Sequence, residues 1–313
     1  MEHQKTTGNT TNQKKYGSFG RVVLFAAIAA VLIMVFSNFF HGYTEHGYQY
    51  KDVRVKQDEL IYLADPKEVL FFGDSIAWAA YRPETFWETN GIPSYNCATS
   101  GQWLGDGRVI LSNVIELQTP ILAVWDANSI YTNISRAKYY LAKYVSVFHY
   151  HFAYLSKSYP RTKDPLRGFN SSDVVNPYTG TPEYMYDMPV QPFTSLAEEK
   201  LEEIYQICKD HHITMVMTCS PNPYTWNMGR HKAVQEWCDS HGVEFIDYNL
   251  MLDEIGIDWN TDTRDGGEHL NNSGSYKVCV HLSNYLKEKF KMNDWRANPY
   301  FSDWNKEYGG GDS

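Results

Sequence analysis

Val69-Leu70-Phe71-Phe72-Gly73-Asp74-Ser75 joins a run of large apolar residues to a glycine and a serine. An apolar run of this length, ended by turn formers, reads as a strand buried on both faces. Gly73 permits a sharp turn, and Ile76-Ala77-Trp78-Ala79-Ala80 can open a helix directly after it. A serine on a strand-to-helix turn is presented at a sheet edge, where α/β hydrolytic sites place a nucleophile. Alone, the triplet is also an ordinary turn, so its weight depends on partners elsewhere in the chain.

Outward from this turn, strand and helix patterns alternate. Strands are expected near 68–72, 94–98, 120–126, 213–219 and 243–247, and helices near 76–81, 104–117, 195–211, 229–241 and 273–291. Leu201, Ile204, Tyr205 and Cys208 recur at helical spacing, as do Cys279, Leu282, Leu286 and Phe290. Such alternation predicts an α/β fold, a parallel sheet covered by helices on both faces. Ser75 then lies at the carboxyl end of a strand, where open α/β sheets bind ligands.

The partners occur in order. Tyr95 to Gln102 reads as a strand running into a loop that holds Gly101. Ile121 to Trp125 is an apolar strand ending in Asp126-Ala127-Asn128-Ser129. Asp265-Gly266-Gly267-Glu268-His269 precedes the last long helical pattern. A serine, a histidine and a carboxylate are the parts of nucleophilic acyl transfer. Ser75 is the candidate nucleophile, His269 the base and Asp265 the residue that orients it. The backbone N–H groups of Ser75 and Gly101 and the side-chain amide of Asn128 are the candidate oxyanion donors. Each has a structural reading too: Gly101 as a loop turn, Asn128 as a helix cap. Asp74, Gln102, Asn222 and Tyr224 are candidate substrate contacts, the last two in the Pro-bounded loop Ser220-Pro221-Asn222-Pro223-Tyr224.

These four blocks resemble the SGNH (GDSL-type) hydrolase superfamily, named for its Ser, Gly, Asn and His. The resemblance runs from about residue 68 to 285 and is tight at the blocks alone. It implies a three-layer sandwich around a parallel sheet and a serine esterase or acyltransferase. Asp126-Ala127-Asn128-Ser129 stands where the family often has Gly-x-Asn-Asp. The family's Asp usually sits three residues before the His, a place held here by Gly266. Asp265 is four before, and Gly266-Gly267 could absorb the extra residue as a bulge. Asp262 and Glu268 stay open as substitutes.

No His-Glu-x-x-His, Cys-x-x-Cys or phosphate-binding glycine loop is present, and acyl transfer needs no metal or cofactor. Cys97, Cys208, Cys219, Cys238 and Cys279 are odd in number and widely spread, so free buried thiols are expected.

Residues 22–40 form an apolar stretch about long enough to span a bilayer as a helix. Lys5, Lys14, Lys15 and Arg21 precede it, with Glu2 the only acid, which places the N-terminus inside the cell. No small-x-small cleavage site follows, which favours an uncleaved signal anchor over a signal peptide. The expected organisation is a cytoplasmic tail (1–21), an anchor (22–40), a stalk and entry segment (41–66), a catalytic domain (67–291) with an insertion at 129–192, and a C-terminal tail (292–313) that packs partly across the domain. From Arg136 to Arg167 the insertion carries Lys138, Lys143, Lys157, Arg161 and Lys163 against one acid, Asp164, interleaved with tyrosines. The chain as a whole is acidic, with net charge −9. The insertion reads either as a solvated helix packed on the core or as a platform for an anionic polymer. An outward-facing domain argues against nucleic acid as a partner.

Anchor and motif together resemble surface proteins that work beside membrane-bound O-acyltransferases, including the teichoic acid D-alanylation protein. That resemblance implies a Gram-positive cell membrane and acyl esters of cell-envelope polysaccharides or teichoic acids as substrates. Two other readings stay open: a non-catalytic glycan-binding or assembly partner, and a lipase-like esterase.

Overall fold

The computed structural model describes residues 10–44, 51–62, 66–118, 120–132, 134–137, 139–140, 145, 163–181 and 183–309. The chain divides into two units, Met1–Tyr48 with Ser135–Lys157, and Gln49–Ile134 with Ser158–Ser313. The first contains one long helix, α1 (Thr10–Thr44). Its stretch Phe19–Ser37, with mean hydropathy 2.6, is the one helical segment among the described residues long and apolar enough to cross a membrane. At 1.5 Å per residue it covers about 28 Å, close to a hydrocarbon core. Phe19, Phe25 and Met34 are among its exposed side chains. Most of the basic, tyrosine-rich stretch, including Lys138, Lys143, Lys157 and Arg161, lies outside the described residues.

The second unit is α/β. Its sheet contains β1 (Val69–Phe72), β2 (Ser94–Asn96), β3 (Leu122–Asp126), β4 (Thr214–Cys219) and β5 (Glu244–Asp247), in the order β2-β1-β3-β4-β5. Every pairing is parallel, with Phe72 opposite Trp125 and Asp126 opposite Thr218. Side chains alternate across the sheet. Leu70 and Phe72 enter one buried cluster with Trp125, Leu201 and Val234, whereas Val69 and Phe71 enter the other with Val124, Cys279 and Leu282. The first cluster packs under α5 (Leu104–Gln118), α6 (Ser195–Asp210) and α7 (Met228–His241). The second packs under α3 (Ser75–Ala80), α4 (Pro83–Asn90) and α9 (Asn272–Phe290). Both faces being dry explains why the strands read as continuous apolar runs. All five cysteines are free and buried.

Two segments outside the alternating core pack on it. Within the segment expected as stalk and entry, residues 51–62 form helix α2 (Lys51–Tyr62), which sends Val53 and Leu60 into the core. Lys56 on this helix is buried and donates to Asn96 O (2.8 Å), Ala98 O (2.5 Å) and Gly168 O (2.6 Å). An ammonium with three rigid acceptors bridges a strand end to the returning insertion. The C-terminal stretch packs against the domain. Trp304 of α10 (Ser302–Tyr308) is buried against Trp87, with ring centroids 5.1 Å apart, and the Arg167 guanidinium lies 4.3 Å above the Trp304 ring. A short helix, α8 (Leu252–Ile255), follows β5.

Candidate active site

Gly73 turns the chain out of β1 with φ 153°. A Cβ there would sit 2.5 Å from the Ala77 Cβ and 3.0 Å from the Asp126 Cβ, so the close approach needs glycine. Asp74 then caps α3, its Oδ1 accepting from Ile76 N at 3.0 Å. Ser75 is the first residue of that helix and remains part-exposed.

His269 meets Ser75 from the other end of the domain's sequence. Its Nε2 is 2.9 Å from Ser75 Oγ, and its Nδ1 is 2.6 Å from Asp265 Oδ2. Asp265 Oδ1 accepts from the His269 backbone N–H at 2.8 Å. The carboxylate thus grips the histidine twice. With Nδ1–H donated to Asp265, Nε2 presents its lone pair to the Ser75 hydroxyl. The spacing of four is absorbed by Gly266 and Gly267, at φ 84° and 110°. The loop is closed behind them by a bridge between Thr263 and Leu270 and by Gly267 N donating to Thr263 Oγ1 at 2.6 Å.

The structure separates the three candidate carboxylates. Asp262 is buried and held by Lys277 Nζ (2.6 Å), Ser273 Oγ (2.7 Å) and Asp258 N (2.7 Å). Glu268 is exposed, and its backbone carbonyl accepts from Asn222 Nδ2 at 2.9 Å. Only Asp265 bonds the His269 ring. Asp265, Glu268 and His269 are also the one group among the described residues with side-chain ligand atoms close enough to share a metal, all within 4.8 Å. Both ring nitrogens of His269 are already engaged, so a metal there would compete with the contacts to Ser75 and Asp265.

The oxyanion donors divide. Among the described residues, the Ser75 and Gly101 backbone N–H groups have no hydrogen-bond partner, and Gly101 turns with φ 62°. Asn128 is different. Its buried amide donates to Asp126 Oδ1 (3.0 Å) and Cys219 Sγ (3.4 Å), and its Oδ1 accepts from Thr225 Oγ1 (2.9 Å). In this arrangement the Asn128 amide is engaged in the floor of the site rather than left unpaired like the two backbone N–H groups.

Three of the four candidate substrate contacts are also internal. Gln102 is buried and donates to Cys97 O (2.9 Å) and Thr99 Oγ1 (3.2 Å), shaping the loop before Gly101. Asn222 is buried and braces the His269 loop through Glu268 O. Asp74 is buried as the α3 cap. Tyr224 is 62% exposed and remains available.

Residues the sequence did not flag support the site. Asn96 Nδ2 donates to Ala77 O (3.0 Å) and Tyr81 O (2.7 Å), fastening β2 to the helix that carries Ser75. Asp126 accepts from Tyr81 Oη, Ser220 N, Ser220 Oγ and Asn128 beneath that helix. The returning insertion borders the catalytic loop: Asn176 O accepts from Gly266 N (2.9 Å) and Asn170 N donates to Trp78 O (3.0 Å).

Burial, and next to it the charge of Asp126, push the Asp74 carboxyl up to about 7. The sign is unfavourable to stability as pH rises. Between about pH 4 and 7 the unfolded chain has released this proton while the folded chain retains it. Stability therefore falls across that window, by about 1.4 kcal/mol per unit of separation in pKa. Asp74→Asn keeps an oxygen for Ile76 N and offers an N–H to Thr132 Oγ1, which now lies 3.2 Å from Asp74 Oδ2. Urea titrations at pH 5 and pH 8 are expected to show a smaller drop in midpoint for Asp74→Asn than for the natural chain. Equal drops would show that Asp74 does not carry the proton.

No protein-family model and no curated protein matches the chain. Solved structures do. A GDSL-like lipase from Bacteroides thetaiotaomicron is 16% identical, covering 77% of this chain and 100% of its own, with TM-score 0.40. A psychrotrophic esterase from Pseudoalteromonas sp. is 13% identical over 72% of this chain and 98% of its own, TM-score 0.39. A lipase/acylhydrolase from Enterococcus faecalis is 13% identical over 71% and 96%, TM-score 0.38.

Proposed function

We propose that this protein is a serine esterase of the SGNH type, anchored by α1 with the α/β domain outside the cell, acting on acyl esters of cell-envelope glycans or teichoic acids. The observation that carries the chemistry is the continuous line from Asp265 Oδ2 through the His269 ring to Ser75 Oγ. In this reading Ser75 Oγ attacks the ester carbonyl carbon and its proton passes to His269 Nε2. The carbonyl oxygen becomes an oxyanion facing the Ser75 and Gly101 N–H groups. The tetrahedral centre collapses, the alcohol leaves with the proton from Nε2, and Ser75 carries the acyl group. Water then gives a proton to Nε2 and attacks the acyl carbon; the bond to Ser75 Oγ breaks, Oγ takes the proton from Nε2, and the acid leaves. A glycan hydroxyl in place of water would make the same site an O-acyltransferase, the form that fits a partnership with a membrane-bound O-acyltransferase.

Outward placement of the domain is supported by the apolar length of Phe19–Ser37 and by the cationic flank before it. The test uses the full chain in detergent. With p-nitrophenyl acetate or an alkyl fluorophosphonate, intact mass is expected to show turnover and one covalent adduct on Ser75, absent in Ser75→Ala. A folded protein that forms no adduct with either reagent would sink the serine mechanism and favour the binding role. Adding an oligosaccharide acceptor separates the products: free acid marks the hydrolase, an acylated sugar the transferase.

A further inference from the structure

Beside the catalytic loop stands a wall of aromatic rings that the triad does not use. Tyr224 meets Tyr178 edge-on, with centroids 5.7 Å apart at 78°. Tyr178 meets Trp259 at 5.6 Å, and Trp259 meets the buried Tyr184 at 6.2 Å. The wall is fixed at several points. Asn222 Oδ1 accepts from Tyr224 N and Thr225 N, both at 2.9 Å, while its Nδ2 holds the carbonyl of Glu268, the neighbour of His269. Tyr178 N donates to Trp259 O at 3.0 Å, and Tyr184 Oη donates to Asn249 Oδ1 at 2.7 Å. The two loop glycines show how near the wall stands to the triad. A Cβ on Gly267 would meet the Tyr178 ring at 2.9 Å, and one on Gly266 would lie 3.7 Å from Tyr224 Oη.

A ring that is 62% exposed yet held by a buried base is preorganised for contact. Tyrosine offers an apolar face with a polar tip and has little rotamer freedom to lose on binding. The C–H face and hydroxyl edge of a sugar ring match that combination. Charge selects among sugars. Asp258, Asp265 and Glu268, on the same loops, are exposed carboxylates and would repel a phosphate-bearing polymer.

We infer that Tyr224, backed by Tyr178 and Trp259, is a subsite that seats a sugar ring of an uncharged glycan ester beside His269. This narrows the substrate class and rests on the esterase reading above.

The experiment has a catalytic arm and a binding arm, both on the full chain in detergent. In the first, natural chain, Tyr224→Ala and Tyr224→Trp are assayed on acetylated xylotetraose and on p-nitrophenyl acetate. Tyr224→Ala is expected to raise KM for the oligosaccharide about tenfold with little change in kcat, whereas Tyr224→Trp keeps KM low. In the second, Ser75→Ala is titrated with xylotetraose, cellotetraose, chitotetraose and polyglycerol phosphate. Saturable binding of a neutral oligosaccharide, lost when Tyr224→Ala is added, supports the subsite even if no ester is turned over. Binding that is equal with and without the Tyr224 ring, no saturable binding of any neutral oligosaccharide, or preference for polyglycerol phosphate overturns it. Failure of the esterase reading appears separately, as absence of turnover on both esters.

Discussion

Asp265→Asn is expected to lower kcat on a short-chain ester by about 10³-fold or more, with the fold intact, while Glu268→Gln leaves kcat within about twofold. The asymmetry follows from the two grips on His269. Asp265 Oδ1 accepts from a backbone N–H, a donor that cannot turn away. An asparagine must keep its single oxygen there, so its NH₂ group faces His269 Nδ1. Nδ1 then becomes the acceptor, the proton moves to Nε2, and the nitrogen facing Ser75 Oγ at 2.9 Å can no longer take the serine proton. Glu268 makes no such contact. His269→Ala removes the base itself and is expected to cost about 10⁵-fold or more. Asp262→Asn supplies the control. Its damage should appear as a lower denaturation midpoint, because it leaves Lys277 Nζ without its 2.6 Å carboxylate partner. Steady-state kinetics on the four variants, with circular dichroism to verify folding, decide the assignment. A large kcat loss in Glu268→Gln and none in Asp265→Asn would refute it.

The five strands were legible because a parallel sheet dry on both faces leaves uninterrupted apolar runs, and all five lie where those runs predict. Ser75 and His269, which the structure brings within 2.9 Å, could be picked out because a turn glycine and a late loop before a helix are local signals. The register of Asp265 could be suspected from Gly266-Gly267 but was decided by three-dimensional contacts that also remove Asp262 and Glu268. Helix α2 was missed because its sequence, with Lys56, Gln57, Asp58 and Glu59 in succession, looks solvated. Lys56 is buried for reasons found elsewhere in the chain, at carbonyls of residues 96, 98 and 168. Asn128 shows what residue type alone leaves out. Its residue type fits an oxyanion donor, but the direction of its amide is set by Asp126 and by Cys219, whose thiol arrives from another strand.

Asp126→Ala is expected to destabilise the α/β domain by about 3–5 kcal/mol, more than any other single change beneath the site. Asp126 is fully buried at the end of β3 and receives Tyr81 Oη at 2.8 Å, Ser220 N at 3.0 Å, Ser220 Oγ at 2.6 Å, and both Asn128 N and Nδ2 at 3.0 Å. Burial pushes its carboxyl up, and the bonds from Ser220, Asn128 and Tyr81 pull it back down. Alanine removes every acceptor at once and strands donors that water cannot reach. Those donors come from the end of α3, the end of β4 and the turn after β3, so three elements lose their common tie. Asp126→Asn should cost less, about 1–2 kcal/mol, because hydroxyls at Tyr81 and Ser220 can rotate to accept from the new amide while the Ser220 N–H cannot. The order natural chain, Asn, Ala in urea midpoint is the expected result. Midpoints that coincide for the natural chain and Asp126→Ala would mean that the donors find other partners, and that the floor under Ser75 does not depend on this carboxylate.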